Sequence, residues 1–275
     1  MIKIHAIYFS ATGCTRKVVE AVAKGISEGI SNSVVGIYDF TLPQSRLSIP
    51  VIEACDVAVV GTPVYAGRIP NLLLKYMQAL QGNGAVAVPV VTYGNRNFDD
   101  ALTELKDLLS SAGFRPSAAA AFVGQHSFSD TLAKGRPNAD DISQAKSFGK
   151  AISQIDFSDS LPFVAEKFES IPGRDALTKV YYQPRYADGT PIDIRKVKPL
   201  TNDSCTACGH CADVCPMGAI DTYNPKLVTG ICIKCNACLK ECPVGAKYLD
   251  DPGYLYHKSD LEQRYQEFKF NRFFL

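Results

Sequence analysis

What the chain lacks narrows its function first. No stretch approaches the roughly 18–20 consecutive apolar residues that a bilayer-spanning helix needs. The opening residues, MIKIHAIYFS, alternate like a strand and have no small-residue cleavage site of a secretory leader. Both features predict a cytoplasmic protein with no membrane span. Neither sign of charge dominates: 29 Lys+Arg face 28 Asp+Glu, split 14 against 13 over residues 1–157 and 15 against 15 over 158–275. That balance argues against nucleic acid or an anionic membrane as the main partner. No G-x-G-x-x-G lies between a strand and a helix, so no built-in NAD(P)H site is expected, and no loop ends in the Gly-Lys-Ser/Thr of a Walker motif. Tryptophan is absent, which leaves stacking on a ligand to 13 Tyr and 14 Phe.

Cysteine, by contrast, is plentiful and clustered: eight of ten fall between positions 205 and 242. They read Cys205-x2-Cys208-x2-Cys211-x3-Cys215-Pro216, then Cys232-x2-Cys235-x2-Cys238-x3-Cys242-Pro243. The second set repeats the first at an offset of 27, and the match runs on into C-P-M-G-A and C-P-V-G-A. Structural zinc wants ligand pairs separated by a longer loop, not three thiols at x2 spacing followed by Cys-Pro. A disulfide framework suits a small secreted chain, and this one has 275 residues.

The double spacing resembles the bacterial two-cluster ferredoxin. There, three thiolates two residues apart wrap one face of an iron–sulfur cube, and the Cys beside Pro reaches across to the other cube. The resemblance therefore implies one 4Fe–4S cluster on Cys205, Cys208, Cys211 and Cys242, and a second on Cys232, Cys235, Cys238 and Cys215. A 4Fe–4S core of charge 2+ on four thiolates is a net dianion, so this segment is expected to present negative potential. His210 is expected to be a loop residue, since four thiolates complete each cube.

Residues 1–157 alternate short apolar runs with amphipathic stretches. Strands are expected near 2–9, 33–39, 56–61, 85–92 and 118–124, and helices near 15–30, 69–81, 98–112 and 139–155. This pattern predicts an α/β fold: a doubly wound, five-stranded parallel sheet with helices on both faces. Such sheets bind ligands beyond the carboxyl ends of their strands. The first of those loops, Ser10-Ala11-Thr12-Gly13-Cys14-Thr15, opens a helix and suits a phosphate monoester through hydroxyls and free N–H groups. Here the chain resembles flavodoxin, whose S/T-x-T-G-x-T loop holds the phosphate of FMN, with Ser10, Thr12, Gly13, Cys14 and Thr15 in the corresponding places. Cys14 is expected to contribute its backbone N–H, although a helix N-terminus tends to lower a thiol pKa.

Two further loops follow strands, Thr62-Pro63-Val64-Tyr65-Ala66-Gly67 and Tyr93-Gly94-Asn95-Arg96-Asn97-Phe98. In flavodoxin-like proteins these loops sandwich the isoalloxazine ring. The resemblance makes Tyr65 and Tyr93 stacking candidates and Asn95 or Arg96 candidates for the pyrimidine edge. Small residues in both loops let backbone amides approach a ring. His126 lies at the same sheet edge and is the candidate for a proton donor. Cys55 is expected to be a buried, inert thiol.

Four segments follow from this reading: an FMN-binding domain at 1–157, a connector at 158–199, a two-cluster module at 200–250 and an aromatic tail at 251–275. The connector, rich in Pro, is expected to have little regular structure, with Tyr181, Tyr182 and Tyr186 packing it down. The order resembles the flavodoxin-fused ferredoxins of anaerobes. That resemblance implies FMN, two 4Fe–4S clusters and electron transfer with ferredoxin-type partners. The alternative is an enzyme in which electrons enter through the clusters and FMN reduces a small organic acceptor. The carrier is the favoured expectation, because nothing marks a substrate pocket with acid–base residues.

Overall fold

The computed structural model describes residues 1–155, 171–172 and 181–275. The elements of its first half are β1 (Ile2–Tyr8), α1 (Cys14–Gly29), β2 (Ser33–Asp39), β3 (Val57–Pro63), α2 (Leu74–Ala79), β4 (Val86–Tyr93), α3 (Ala101–Ser111), β5 (Arg115–Pro116), β6 (Ala119–Val123) and α4 (Ala139–Ile152). Strands β2, β1, β3, β4 and β6 lie side by side in that order, all parallel. This is the strand order of the flavodoxin-like fold, in which the order reverses beside β1 and leaves a crevice at the carboxyl edge.

The two faces of the sheet carry separate cores. Ile4, Ala6, Tyr8, Val57, Val59, Val88 and Phe122 pack beneath α1 and α4. Ile7, Phe9, Val60, Val91, Ala119 and Ala121 pack with α2 and α3. The central strands are apolar on both faces because both are covered, as parallel sheets require. Helices α1 and α4 touch backbone to backbone. A Cβ on Gly25 would stand 2.1 Å from the Lys146 carbonyl oxygen, and one on Gly149 would stand 2.2 Å from that of Val22. Gly25→Val is therefore expected to force the helices apart and cost at least about 2 kcal/mol. A urea midpoint equal to that of the wild type would refute this packing.

The sheet is wider than the five strands expected. The two-residue β5 pairs with β4, and β9 (Arg272–Phe274), from the aromatic tail, adds an antiparallel strand to β6. Successive residues of β9 point to opposite faces. Phe273 sets its ring 5.4 Å from Phe122 and 5.2 Å from Phe148. Phe274 joins the other core. The tail is tied down by polar bonds too: Asn271 accepts from the Val123 N–H at 3.0 Å and donates to Asp141 at 2.9 Å.

The cysteine-rich segment is small and mostly loop. It contains β7 (Leu200–Thr201), α5 (His210–Asp213), α6 (Ala237–Lys240) and β8 (Lys247–Tyr248), with β7 and β8 paired antiparallel. Helix α7 (Pro252–Arg264), capped by the Asp251 carboxylate, leads into the tail. Much of the connector lies outside the described residues. From 181 onward it packs as expected: the Tyr182 N–H donates to Ala66 O at 2.8 Å, and Tyr186 sits 4.8 Å from Tyr256.

Among the described residues, no helix is long and apolar enough to cross a membrane.

Candidate functional site

The two cysteine repeats fold alike. Left-handed backbone recurs at an offset of 27, at Ala207 and Lys234, at Gly209 and Asn236, and at Gly218 and Gly245. These turns aim N–H groups at sulfur in matching places. Ala207 and Lys234 donate to Cys205 and Cys232 at 3.4 Å each; Ala219 and Ala246 donate to Cys215 and Cys242 at 3.3 and 3.2 Å. Such bonds favour thiolate over thiol.

The thiols sort into two cavities, and in each the fourth comes from the other repeat. Cys232, Cys235, Cys238 and Cys215 line one, with Ile220, Ile233 and Leu249 among its apolar walls. Cys205, Cys208, Cys211 and Cys242 line the other, beside Lys247. No three His, Cys, Asp or Glu side chains among the described residues converge on one ion-sized point. Thiols spread around a cavity suit a polynuclear cluster better than a single zinc. Burial pushes the Cys235 and Cys238 thiols up to about 12 and also raises Cys211 and Cys232. Burial acts upward on Cys242 as well, but the N–H groups of Val244, Ala246, Lys247 and Gly245 pull it below the ordinary value. Thiols so enclosed become thiolates when iron supplies the countercharge, so the donor set fits a 4Fe–4S group.

At the carboxyl edge of the sheet, Gly13 caps α1 with φ +84°. The Ser10 hydroxyl closes the loop by accepting the Arg16 N–H at 3.0 Å, and the Ser10 N–H donates to Thr41 at 2.8 Å. A Cβ on Gly13 would meet the Arg16 guanidinium at 3.9 Å, so this cation leans over the loop. Arg16 was not singled out from sequence, and its signal was a base in the first turn after the Gly. Thr15 is buried and shares a 2.6 Å hydrogen bond with Thr92 on β4. Thr62 is fully buried, and its hydroxyl makes no hydrogen bond. An unsatisfied hydroxyl costs about 1–3 kcal/mol, which a polar ligand at this edge would relieve. Together with the phosphate-type loop, this fits a phosphate-bearing cofactor such as FMN.

The loop after β3 is a tight hairpin. Tyr65 and Arg68 exchange backbone hydrogen bonds of 2.8 and 3.1 Å across Ala66 and Gly67, both at positive φ. A Cβ on Gly67 would strike Asp99 at 2.4 Å, so only glycine lets this loop meet the one after β4. Arg68 is held by the buried Glu104, which also accepts the Ile69 N–H at 3.1 Å. The Tyr65 ring is half-buried but its hydroxyl end is enclosed. Its pKa is driven well above 10, first by burial and then by the charges of Cys235, Cys14 and Cys232.

The other named candidates separate. Tyr93 belongs to the core, 5.5 Å from Phe98, which is buried with it. The Asn95 side-chain amide donates to the tail carbonyls of Tyr265 and Glu267 at 2.6 and 2.9 Å. Arg96 pairs with Asp99 and lies 3.9 Å above the Tyr182 ring. Tail and connector thus occupy groups that looked free from sequence. Burial raises the Cys14 thiol rather than lowering it, because its Sγ turns inward toward Arg136 O, 3.7 Å away, and off the helix end. Cys55 is exposed, not buried, since it falls in the turn before β3.

His126 packs against Gly94, where an added Cβ would stand 2.4 Å from its ring. Its Nδ1 accepts the Phe128 N–H at 3.1 Å, which leaves the proton on Nε2. Burial, then His257, Arg96 and Lys240, lower its pKa to about 3. The imidazole is neutral near pH 7, a hydrogen-bond donor rather than an acid. NMR of the oxidised protein should show it still neutral at pH 5. Titration near 6.5 would contradict this environment.

The cysteine segment meets the sheet on one side. Arg46 donates to Pro216 O at 2.7 Å, Asn236 to Ser127 O at 3.2 Å and Lys240 to Ser129 O at 3.1 Å. Ile233 packs onto the core under α2 and α3.

Residues 199–221 match the 4Fe–4S binding domain family, so the segment binds at least one 4Fe–4S cluster. An uncharacterized protein of Methanocaldococcus jannaschii is 27% identical over 142 residues, which cover 50% of this chain and 90% of that one. Among solved structures, a flavodoxin from the domain Archaea has a TM-score of 0.41 at 17% identity, covering 55% of this chain and 96% of its own. An NADH:FMN oxidoreductase has a TM-score of 0.40 at 19% identity, covering 62% and 100%. Strand order and cysteine pattern together define a flavodoxin-like iron–sulfur protein.

Proposed function

We propose that the chain is an electron-transfer protein that carries FMN at the carboxyl edge of its sheet and two 4Fe–4S clusters in the cysteine segment, and that it exchanges electrons with partner redox proteins. The observation that carries this reading is the seat of the second cysteine repeat at the sheet's carboxyl edge. Ile233 packs onto the same core as Ala11 and Val64 of two candidate flavin loops, and Asn236 and Lys240 donate to Ser127 O and Ser129 O in the loop after β6. Flavin and cluster sites are thus neighbours within one chain. FMN would supply chemistry in which one or two electrons are taken up, whereas each cluster handles one. The residues proposed to hold FMN are the loop from Ser10 to Thr15 with Arg16, Thr62 and the hairpin at Tyr65, and the backbone at Gly94. Cys205, Cys208, Cys211 and Cys242 would hold one cluster, and Cys215, Cys232, Cys235 and Cys238 the other.

The carrier is favoured over a reductase because the acid–base candidate, His126, is held neutral and wedged against Gly94. Protein purified without oxygen should contain about eight iron and eight labile sulfide per chain and release about one FMN on acid treatment. Zinc in place of iron, or FAD, would overturn the reading.

A further inference from the structure

The two cysteine sites differ in what surrounds them. Around Cys205 and Cys208 the loop residues Thr206 and Ala207 are exposed, as is His210, which opens α5 rather than lying in the loop expected for it, and so are Pro243, Val244 and Gly245 beside Cys242. Cys208 is itself exposed. Around the other site, Asn236 and Ala237 are buried with Cys235 and Cys238. Every bond from the cysteine segment to the sheet described above starts at that second site or at Pro216 next to Cys215: Arg46 to Pro216, Asn236 to Ser127, Lys240 to Ser129. Asn236 is also pinned from behind, donating to the Tyr254 hydroxyl at 2.7 Å. Repeats that are nearly identical in backbone thus end in unequal settings, because only the site of the second triplet, with Pro216 beside Cys215, is bonded to the loops at the sheet's carboxyl edge.

We propose that the site of Cys215, Cys232, Cys235 and Cys238 is an inner site, sealed from solvent by Ile233 and Asn236, and that the site of Cys205, Cys208, Cys211 and Cys242 is the outer one, through which a one-electron carrier protein exchanges electrons. The inference rests on the two-cluster, FMN-binding reading above and adds an order to it. Ile233 is a positioning residue. Its side chain lines the inner cavity and packs onto the core that Ala11 and Val64 of the flavin loops also cover. An electron entering at the outer site oxidises the reduced donor protein by one and reduces one cluster by one, so no proton or further reactant is needed there.

The test follows which thiols become accessible as iron is withdrawn from the intact protein. Anaerobic holoprotein is treated with a water-soluble iron chelator, alkylated at intervals with iodoacetamide, and mapped by mass spectrometry. Cys55, already exposed, marks the start. Cys205, Cys208, Cys211 and Cys242 should be modified together and first. The other four should follow at least about tenfold more slowly, equivalent to about 1.4 kcal/mol more to open the inner site. Ile233→Ala should bring modification of Cys232 and Cys235 close to the outer rate without changing the outer four, whereas Ile233→Leu should behave as wild type. Simultaneous modification of all eight, or earlier modification of the inner four, overturns the order. Unchanged inner protection in Ile233→Ala overturns the role of Ile233. A starting content of about four iron would instead refute the two-cluster reading, and it is measured before the chelator is added.

Discussion

Cys215→Ala is expected to abolish the cluster held by Cys232, Cys235 and Cys238 while leaving its sequence neighbours Cys205, Cys208 and Cys211 ligated. The reason is the crossing of the repeats: Cys215 lines the cavity of the second triplet, and Cys242 lines that of the first. Iron should fall from about eight to about four per chain. The paramagnetic spectrum of the reduced variant should lose the features of coupling between two clusters and keep those of one. Cys242→Ala should give the same count with the opposite cluster surviving. Cysteine alkylation separates the two variants, since the freed triplet alone becomes reactive. If Cys215→Ala frees Cys205, Cys208 and Cys211 instead, ligation is local to each repeat and the cavity assignment fails.

Thr12→Asp should produce the second large effect. The loop from Ser10 to Thr15 offers backbone N–H groups beneath the Arg16 guanidinium, a setting for a phosphate dianion. A carboxylate there places like charges a few ångströms apart. At the dielectric of a partly enclosed site the repulsion is several kcal/mol, so FMN affinity should drop by roughly a hundredfold or more. The fold should survive, because Thr12 is only partly buried in a loop. Equilibrium dialysis of apoprotein with FMN measures the change. An unchanged Kd would place the phosphate elsewhere.

Much of this architecture was legible in the sequence, for identifiable reasons. The runs Val57–Val60 and Val86–Val91 are apolar on both faces, as covered parallel strands must be, and their ends agree with the expected ones within two residues. The cysteine spacing and its repeat carried over into matching backbone turns. The tail was harder. Its aromatics pointed to packing, but Arg272–Phe274 is only three residues long and pairs with a strand far away in sequence. Nothing local distinguishes such a segment from a loop. The helix Pro252–Arg264 was missed because its apolar residues do not form a clean stripe; Tyr254, His257 and Leu261 are its buried contacts. Tail and connector explain why Asn95 and Arg96 looked available: the carbonyls that Asn95 meets, Tyr265 and Glu267, lie about 170 residues away, and the ring beneath Arg96 is Tyr182 of the connector. Local chemistry named the loops; long-range contacts decided which side chains are spoken for.

The antiparallel strand at the sheet's margin bears on how the protein is made. Val123 and the Asn271 that bonds it are 148 positions apart. At about 5–20 residues per second, a ribosome needs roughly 7–30 seconds to span that interval. During this time β6 presents an unpaired edge of small apolar residues, Ala119–Val123, to its surroundings. The cysteine segment emerges within the same interval, before the edge is capped. Slow synthesis or a shortage of iron should therefore show itself first as aggregation of nascent chains through this edge, and not as loss of electron transfer in the finished molecule.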